Sequence, residues 1–528
     1  MKQYLSILIL LICNYYCFSQ NFTSSNLPLI IINTNGEEII DEPKIPADIS
    51  VIDNAPGLLN HLDDTPAYVG IIGIELRGSS SQGFDKKSYG FETWDSLYND
   101  MDTTMLGLPS EEDWVLHGPW ADKAMLRNAL SMKISREQGN YSSRTRFCEI
   151  FINDDYHGVY LLMEKIKRDD NRLDIAKLNP DEISGDDVTG GYIFKLDWGE
   201  DPGWYSNYNS IAGEDMYFEY VYPKAVNIVT EQANYIQAYV DSFEMALTDN
   251  DFTNSYGKRY DEYMDKSSFA DMIILAELSK DVDGYKLSTF IHKDKTSKGG
   301  VLTAGPVWDF DIAWYNSDYC NGGEISGWIY NEQNCEDLDL MPFWWERMME
   351  DTIFQNHLKC RWEEQRQTIL DETYLLNYID SMATVLDEAQ QRNYERWDIL
   401  DEYTWAHPVD PPGTYQGEIN LVKQWIQDRL IWMDNNLPGT CYNDNIENIC
   451  KNELRIFPNP VTDILSLDPG ELTGAGVTIY NIVGEKVLHQ QLHSNDITEL
   501  DLTGLVNGNY ILMIVSDRST FVRKIIKQ

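Results

Sequence analysis

The sequence predicts an α+β body with a helical C-terminal half, joined to a small all-β module of Ig-like sandwich type. Three observations carry that expectation. From Leu27 to about residue 310, apolar runs of strand length alternate with isolated helical patterns. From Phe343 to Asn436 a Trp-rich stretch, typified by FWWERMMEDTIFQNHLKCRWEEQRQTIL, recurs at helical spacing. From Glu453 to Gln528, short alternating segments such as ILSLD and VTIYNIVGEKVL are separated by Gly, Asn and Pro. The expected organisation of the 528 residues is a leader over 1–20, a body over 21–440, a linker over 441–452 and the β module over 453–528.

The elements of the body follow in order. LPLIIINT and YVGIIGIELRG read as strands, and SSSQGFDKKSYGFETW as a loop entering another. Asp122 to Glu137 reads as a helix, with Ala124, Leu126, Leu130 and Ile134 on one face. RFCEIFIND and GVYLLMEKI form a hairpin turning at Asp154–Asp155, and GGYIFKLDW is a further strand. Residues 201–265 are mixed and receive no assignment. The helix SSFADMIILAELSK then runs into DVDGY, the strand LSTFIHKD, a turn at Gly299–Gly300, and VLTAGPVWDFD.

Composition narrows the function. The 41 Lys and Arg stand against 86 Asp and Glu, a net charge of −45, which opposes nucleic-acid and anionic-membrane partners. The 43% hydrophobic content describes a globular chain. At the N-terminus, Lys2 precedes an apolar run from Tyr4 to Cys13 and small or polar residues near Ser19–Gln20. That run is too short to span a bilayer and reads as a secretory signal peptide, with no transmembrane segment following. Cys17 follows the bulky Asn14, Tyr15 and Tyr16, so cleavage is favoured over lipid attachment. The six remaining cysteines, in an exported chain without C-x-x-C spacing, point to disulfides and not to zinc. Cys320 and Cys335 are close enough to pair, and Cys360 has Cys441 or Cys450.

The order of charged residues suits phosphoryl transfer from a nucleotide. That chemistry needs a cation on the phosphates, a carboxylate orienting the acceptor hydroxyl, and a second carboxylate holding a divalent metal. Lys86 or Lys87, Asp283 after the helix, and Asp309 closing the next hairpin supply them in that order.

RGSSSQGFDKKSYGFE, DKAMLRNAL, NDDYHGVYLLMEKI, KDVDGYKLSTF and GPVWDFDIAW together resemble the spore-coat-protein-H-like (CotH) kinase family, over about residues 70–430. The resemblance implies a divergent protein-kinase-like body. The implied activity is transfer of phosphate from ATP to Ser or Thr of extracytoplasmic proteins, with Mg²⁺ or Mn²⁺. It implies Asp283 as catalytic aspartate, Asp309 as metal ligand with Asp311 as a second, and a lysine of the Lys-Lys-Ser-Tyr element on the phosphates. Alternation along a strand turns only one of Lys86 and Lys87 inward, with Lys87 favoured. Arg77 precedes a Gly/Ser turn whose amides approach phosphate, and Glu164 anchors the lysine or the nucleotide edge. Two departures stand out: Ser288 occupies the position where a kinase loop carries a metal-binding Asn, and the loop after Arg77 lacks G-x-G-x-x-G.

Bland readings compete with each assignment. Asp281 and Asp283 precede Gly284 and serve equally as turn residues. Asp309 and Asp311 suit structural calcium, Glu164 a salt bridge to Arg168, and Arg127 and Asn128 helix orientation. The stripe of Trp345, Trp362 and Trp397 favours core over a sugar platform. The rival functions are an inactive kinase-like surface scaffold and a carbohydrate-acting surface protein.

Phe457-Pro458-Asn459-Pro460, the hairpin IYNIVGEKVL turning at Gly484, Leu505–Tyr510 and the basic end VRKIIKQ resemble the sorting domain of type IX secretion substrates. That resemblance implies the type IX machinery as partner and a secreted or cell-surface location. A carbohydrate-binding sandwich is the alternative.

Overall fold

The computed structural model describes residues 22–332, 335, 340–408, 410–441, 455–468, 476–481, 486–491, 498–515 and 520–528. The expected leader over 1–20, most of the linker, Cys450 and the Gly484 turn lie outside the described residues. The chain divides into two compact units, the first ending at Cys441.

The first unit opens with β1 (Leu29–Asn33), β2 (Ile45–Ile52), β3 (Tyr68–Arg77), β4 (Ser88–Trp94), the short hairpin β5 (Thr103–Met105) and β6 (Leu108–Glu111), and β7 (Asp113–His117). Helix α1 (Arg127–Glu137), β8 (Thr145–Ile152) and β9 (Asp155–Glu164) follow. Seven of these strands close into a barrel in the order β1-β2-β3-β4-β7-β9-β8. Closure is a parallel pairing of β8 on β1, from Leu29 opposite Glu149 to Ile32 opposite Ile152. No local pattern encodes that long-range contact, and the sequence reading, which placed separate strands here, did not contain a barrel. The interior shows the period-2 alternation of strands: Ile30/Ile32, Ile49/Val51, Ile72/Ile74, Trp114/Leu116 and Tyr160/Leu162 share one core. The opposite faces of β7 and β9, including Val115, Val159, Leu161 and Met163, belong to the main core of the unit. Being buried on both faces explains why GVYLLMEKI is almost continuously apolar. The β8–β9 turn places Asn153 and Asp154 at φ 50° and 64°, the left-handed pair a two-residue hairpin needs.

A five-stranded sheet follows, built from β10 (Tyr192–Leu196), β11 (Gly203–Asn209), β12 (Asp215–Tyr222), then helices α2 (Thr230–Thr248) and α3 (Lys266–Ser279), then β13 (Thr289–Lys293) and β14 (Thr303–Ala304). Its order is β11-β12-β10-β13-β14. Asp265 caps α3 by accepting from the Ser267 amide, and Lys280 at φ 49° ends it. Nearly every side chain of α3 is buried, so the loop it releases at Asp281 starts from a rigid base.

Four helices occupy the rest: α4 (Trp344–Met348), α5 (Thr352–Arg366), α6 (Glu372–Arg396) and α7 (Tyr415–Asn436). In α6 the buried Leu375, Ile379, Met382, Leu386, Ala389 and Asn393 recur every three or four residues, the stripe that binds a helix to a core. Its last turns grip the barrel. Arg392 pairs with Glu149 at 2.7 Å, and the Val159 amide donates to Asn393 Oδ1 at 3.1 Å. The approach is close enough that a Cβ on Gly158, at φ +93°, would lie 2.4 Å from that oxygen. Trp345 and Trp362 are core residues, as read from the sequence. Cys320 pairs with Cys335 and Cys360 with Cys441, while Cys148 is a buried thiol in the barrel. Among the described residues no helix is long and apolar enough to cross a membrane.

The second unit contains β15 (Arg455–Phe457), β16 (Ile464–Asp468), β17 (Gly476–Asn481), β18 (Lys486–Gln491), β19 (Thr498–Asp501), β20 (Gly508–Val515) and β21 (Thr520–Lys527). They form sheets β15-β16-β19 and β18-β17-β20-β21 around a core including Leu465, Leu467, Val477, Ile479, Leu500, Leu512 and Ile514. The motif residues have local work. Asn459 exchanges bonds with the backbone of β21, donating to Lys524 O and accepting from the Ile526 amide, and the Tyr510 hydroxyl donates to Val506 O.

Burial sets one pH response of the fold. Glu244 on α2 accepts from Ser206 Oγ at 2.7 Å and Trp344 Nε1 at 2.9 Å, and desolvation pushes its carboxyl up to about 8. The folded state therefore keeps a proton that the unfolded state releases near pH 4.5. The associated stability is full below that pH and is lost as pH rises toward 8. Replacing Glu244 with Gln is expected to stabilise the chain at pH 8 by about 1–3 kcal/mol and to change little at pH 4, as read by denaturant melts at both pH values.

Candidate active site

A cavity of about 1160 Å³ lies between the barrel and the five-stranded sheet. Barrel residues Arg77, Gly90, Val115 and His117 line it, as do Lys195, Glu219 and Phe290 from the sheet. The loops after α3 and β14 add Asp283, Ser288, Trp308, Asp309 and Asp311. Trp405 and Tyr319 close one end, stacked with ring centres 5.9 Å apart.

The carboxylates gather because two loops start from fixed ends. After α3, the Gly284 amide donates to Asp281 O and the Leu287 amide to Asp283 O, winding a tight turn that holds Asp283 at the cavity wall. The Tyr319 hydroxyl donates to Asp283 Oδ1 at 3.4 Å. Asp281 is buried beneath, and desolvation together with the charges of Asp283, Asp309 and Asp311 pushes its carboxyl well above the ordinary range. After β14, Asp309 takes φ +66°, a conformation that costs a non-glycine residue about 1 kcal/mol or more. Desolvation and the neighbouring Asp311 raise Asp309 to about 7 against the pull of Arg77. Desolvation, Asp122 and Asp283 raise Asp311 to about 6.

The cations are placed less simply. Arg77 lines the cavity, its guanidinium 4.9 Å from the centre of the Trp308 ring and within the field of Asp309. Gly78 follows at φ +102°, where a Cβ would lie 1.9 Å from Ser81 Oγ, so the Gly/Ser turn needs its glycine. Neither Lys86 nor Lys87 lines the cavity. Both precede β4, so strand alternation does not govern them. Lys86 Nζ is buried against α6, donating to Val159 O at 2.6 Å and Asn393 Oδ1 at 2.7 Å, and desolvation carries its ammonium far below its ordinary range. Lys87 Nζ turns back to Gln82 O at 2.7 Å and Phe84 O at 2.5 Å, bracing the loop after Arg77. Glu164 is fully buried and held by Arg144 at 2.6 Å and Arg172 at 3.5 Å, in place of the Arg168 pairing that its spacing suggested.

Several residues at the site escaped the sequence reading. Lys195 lines the cavity, paired with Asp197 at 2.7 Å and Glu219 at 2.9 Å. His117 contacts Asn128 beside Asp309, and Tyr319 touches Asp283. Asn128 itself was singled out in DKAMLRNAL, as orienting the helix; Lys195, His117 and Tyr319 carried no signal. Glu111, Glu112 and Asp113 have oxygens within 4.8 Å of one another, but Lys167 reaches all three and Lys165 reaches Asp113. Their charge is met from within the chain.

Asp309 and Asp311 differ from that cluster. Both line the cavity, Asp309 raised in part by Asp311 and Asp311 by Asp122 and Asp283, and hard carboxylate oxygens are the donors that Mg²⁺ and Mn²⁺ take. A divalent cation fits this donor set.

Comparison with known proteins agrees with the geometry. The profile of the CotH kinase protein family matches residues 74–433, and that of the secretion system C-terminal sorting domain matches residues 455–528. No curated protein matches the chain. The second match makes the β module a type IX sorting domain. With most of its length inside the first, and with its acidic loops opening on one hollow, the chain belongs to the CotH kinase protein family.

Proposed function

We propose that this chain is an exported protein kinase that moves a phosphoryl group from ATP to a Ser or Thr hydroxyl of an extracytoplasmic protein. The observation that carries the reading is the opening of Asp283, Asp309, Asp311 and Arg77 onto one cavity. In this reading the barrel covers the nucleotide, and α3 with the later helices forms the acceptor side of a divergent kinase-like body. The leader over 1–20, the body over 21–440 and the linker over 441–452 lead to a sorting module that delivers the chain to the cell surface or beyond.

Each residue has a defined task. Asp283 orients the acceptor hydroxyl and takes its proton as the new P–O bond forms and the bond to ADP breaks. Tyr319 steadies that carboxylate through its hydroxyl. Asp281, whose carboxyl burial pushes well above the ordinary range, sits in the turn behind the hollow. Asp309 and Asp311 hold Mg²⁺ or Mn²⁺, which when bound draws charge from the transferring phosphate oxygens. Arg77 faces the phosphates from the barrel side. Lys86 and Lys87 shape the loop beside it, and Glu164 fixes the end of β9.

Incubating the chain with γ-labelled ATP, Mn²⁺ and a Ser-rich acceptor such as dephosphorylated casein tests the reading. Asp283→Asn and Asp309→Asn are each expected to lower incorporation by about 10²–10⁴-fold. Equal labelling by the parent chain and both variants would exclude the mechanism. A second comparison separates the basic residues. Arg77→Gln is expected to raise KM for ATP about tenfold or more. Lys86→Met is expected to cost about 1–3 kcal/mol of stability by stranding Val159 O, with KM for ATP within about twofold of the parent. Steady-state kinetics and thermal melts on both variants decide the matter.

A further inference from the structure

Among the ties that hold the acidic loop after β14 to the rest of the protein, one meets it between Asp309 and Asp311 and has no part in the mechanism above. Asn128 sits in the first turn of α1 and is almost wholly buried. Its Oδ1 accepts from the Phe310 amide at 2.7 Å, the peptide unit between Asp309 and Asp311. Its Nδ2 lies 3.4 Å from Nε2 of His117, on barrel strand β7. The direction of both bonds follows from chemistry. A backbone N–H only donates, so the carboxamide oxygen faces Phe310 and the NH₂ group faces the ring. His117 Nε2 therefore accepts, and the imidazole is neutral with its proton on Nδ1. One side chain thus joins three elements: the barrel, α1 and the loop bearing both cation-binding carboxylates.

We propose that Asn128 is a positioning residue that holds the Asp309–Asp311 loop in its cation-binding conformation and registers that loop against His117 of the barrel. The left-handed φ of Asp309 is unfavourable by itself and needs an outside partner, and the acceptor that Asn128 offers to the next amide is such a partner. Neighbouring ties support the loop farther along: Asn316 Nδ2 donates to Asp311 O at 2.6 Å, and Trp314 Nε1 donates to Ser131 Oγ at 2.8 Å. Among the described residues, the Asn128 bond is the side-chain tie that falls between the two carboxylates. The proposal rests on the cation reading above for its consequence, although the tie itself does not.

The test uses the full chain and two readouts. Mn²⁺ binding, followed by the electron paramagnetic resonance of free Mn²⁺, is expected to weaken by about 10–100-fold in Asn128→Ala. In Ser131→Ala, which removes a bond one turn later on the same helix, it is expected to stay within about threefold. Hydrogen exchange without metal is expected to show the Phe310 amide exposed in Asn128→Ala. In Asn128→Asp, which keeps an acceptor for that amide, it stays protected. Unchanged Mn²⁺ affinity in a folded Asn128→Ala chain, or equal losses in Asn128→Ala and Ser131→Ala, would overturn the proposal. If the parent chain binds no Mn²⁺, the cation reading itself falls and exchange alone decides. Faster exchange at Phe310 in Asn128→Ala than in Ser131→Ala then supports the tie, and equal exchange refutes it. Should Asn128→Ala not fold, Asn128→Asp decides in its place, since loss of Phe310 protection there equally refutes the tie.

Discussion

The charges of Asp283, Asp309 and Asp311 on the cavity wall, with Asp281 buried behind them, oppose one another, and the rest of the body is arranged so that this repulsion is tolerated. Taking carboxylates out of water is costly unless a proton or a cation accompanies them. For Asp281, burial and the neighbouring carboxylates push the carboxyl well above the ordinary range, toward its neutral form. Asp309 and Asp311 are raised to about 7 and about 6, and in the proposed reading a proton or a divalent ion would satisfy them. A site of this kind exchanges protons for metal, so its affinity for cation rises with pH as the carboxyls ionise.

Such a site needs rigid surroundings, because flexible loops would let the charges separate into solvent. The two acidic loops begin at the buried α3 and at β14, and the second is tied sideways to α1 through Asn128, Ser131 and Arg127 and to α3 through the Trp314 amide on Ser279 O. The barrel is tied in turn to α6 through Arg392, Asn393 and Lys86. These polar ties cross between layers whose apolar faces supply most of the stability. They add direction: each buried donor or acceptor is satisfied in one arrangement and stranded in others. Lys86 illustrates the point. A buried amine is expensive, and here it fixes the approach of a helix to a strand.

How much was legible depended on how local each feature is. DVDGY and WDFD announce themselves, because an acidic pair at the end of a helix or hairpin is a short-range pattern. Residues 201–265 did not, for a physical reason: β11 (GWYSNYN) is an edge strand that mixes Trp and Tyr with Gly and Asn, which disfavour sheets, and it exists through pairing with β12. The lysines misled because alternation describes side chains within a strand, and both Lys86 and Lys87 precede β4. Glu164 offered an arginine near in sequence, whereas the partners it found, Arg144 and Arg172, come from chain that the fold returns to it.

By itself the sequence determined the family, the sorting module, the order of the acidic motifs and the Cys320–Cys335 pairing, because each is written in near residues or in a motif, while the choice of Cys441 for Cys360 was left open. Only the tertiary structure decided that the strands close into a barrel, that Arg77 and not Lys86 or Lys87 faces the hollow, and that Asn128 braces the carboxylate loop. Those outcomes depend on which distant segments meet. A contact between Leu29 and Glu149, or between Asn128 and Phe310, is selected by packing of the whole chain, and no window of sequence contains both partners.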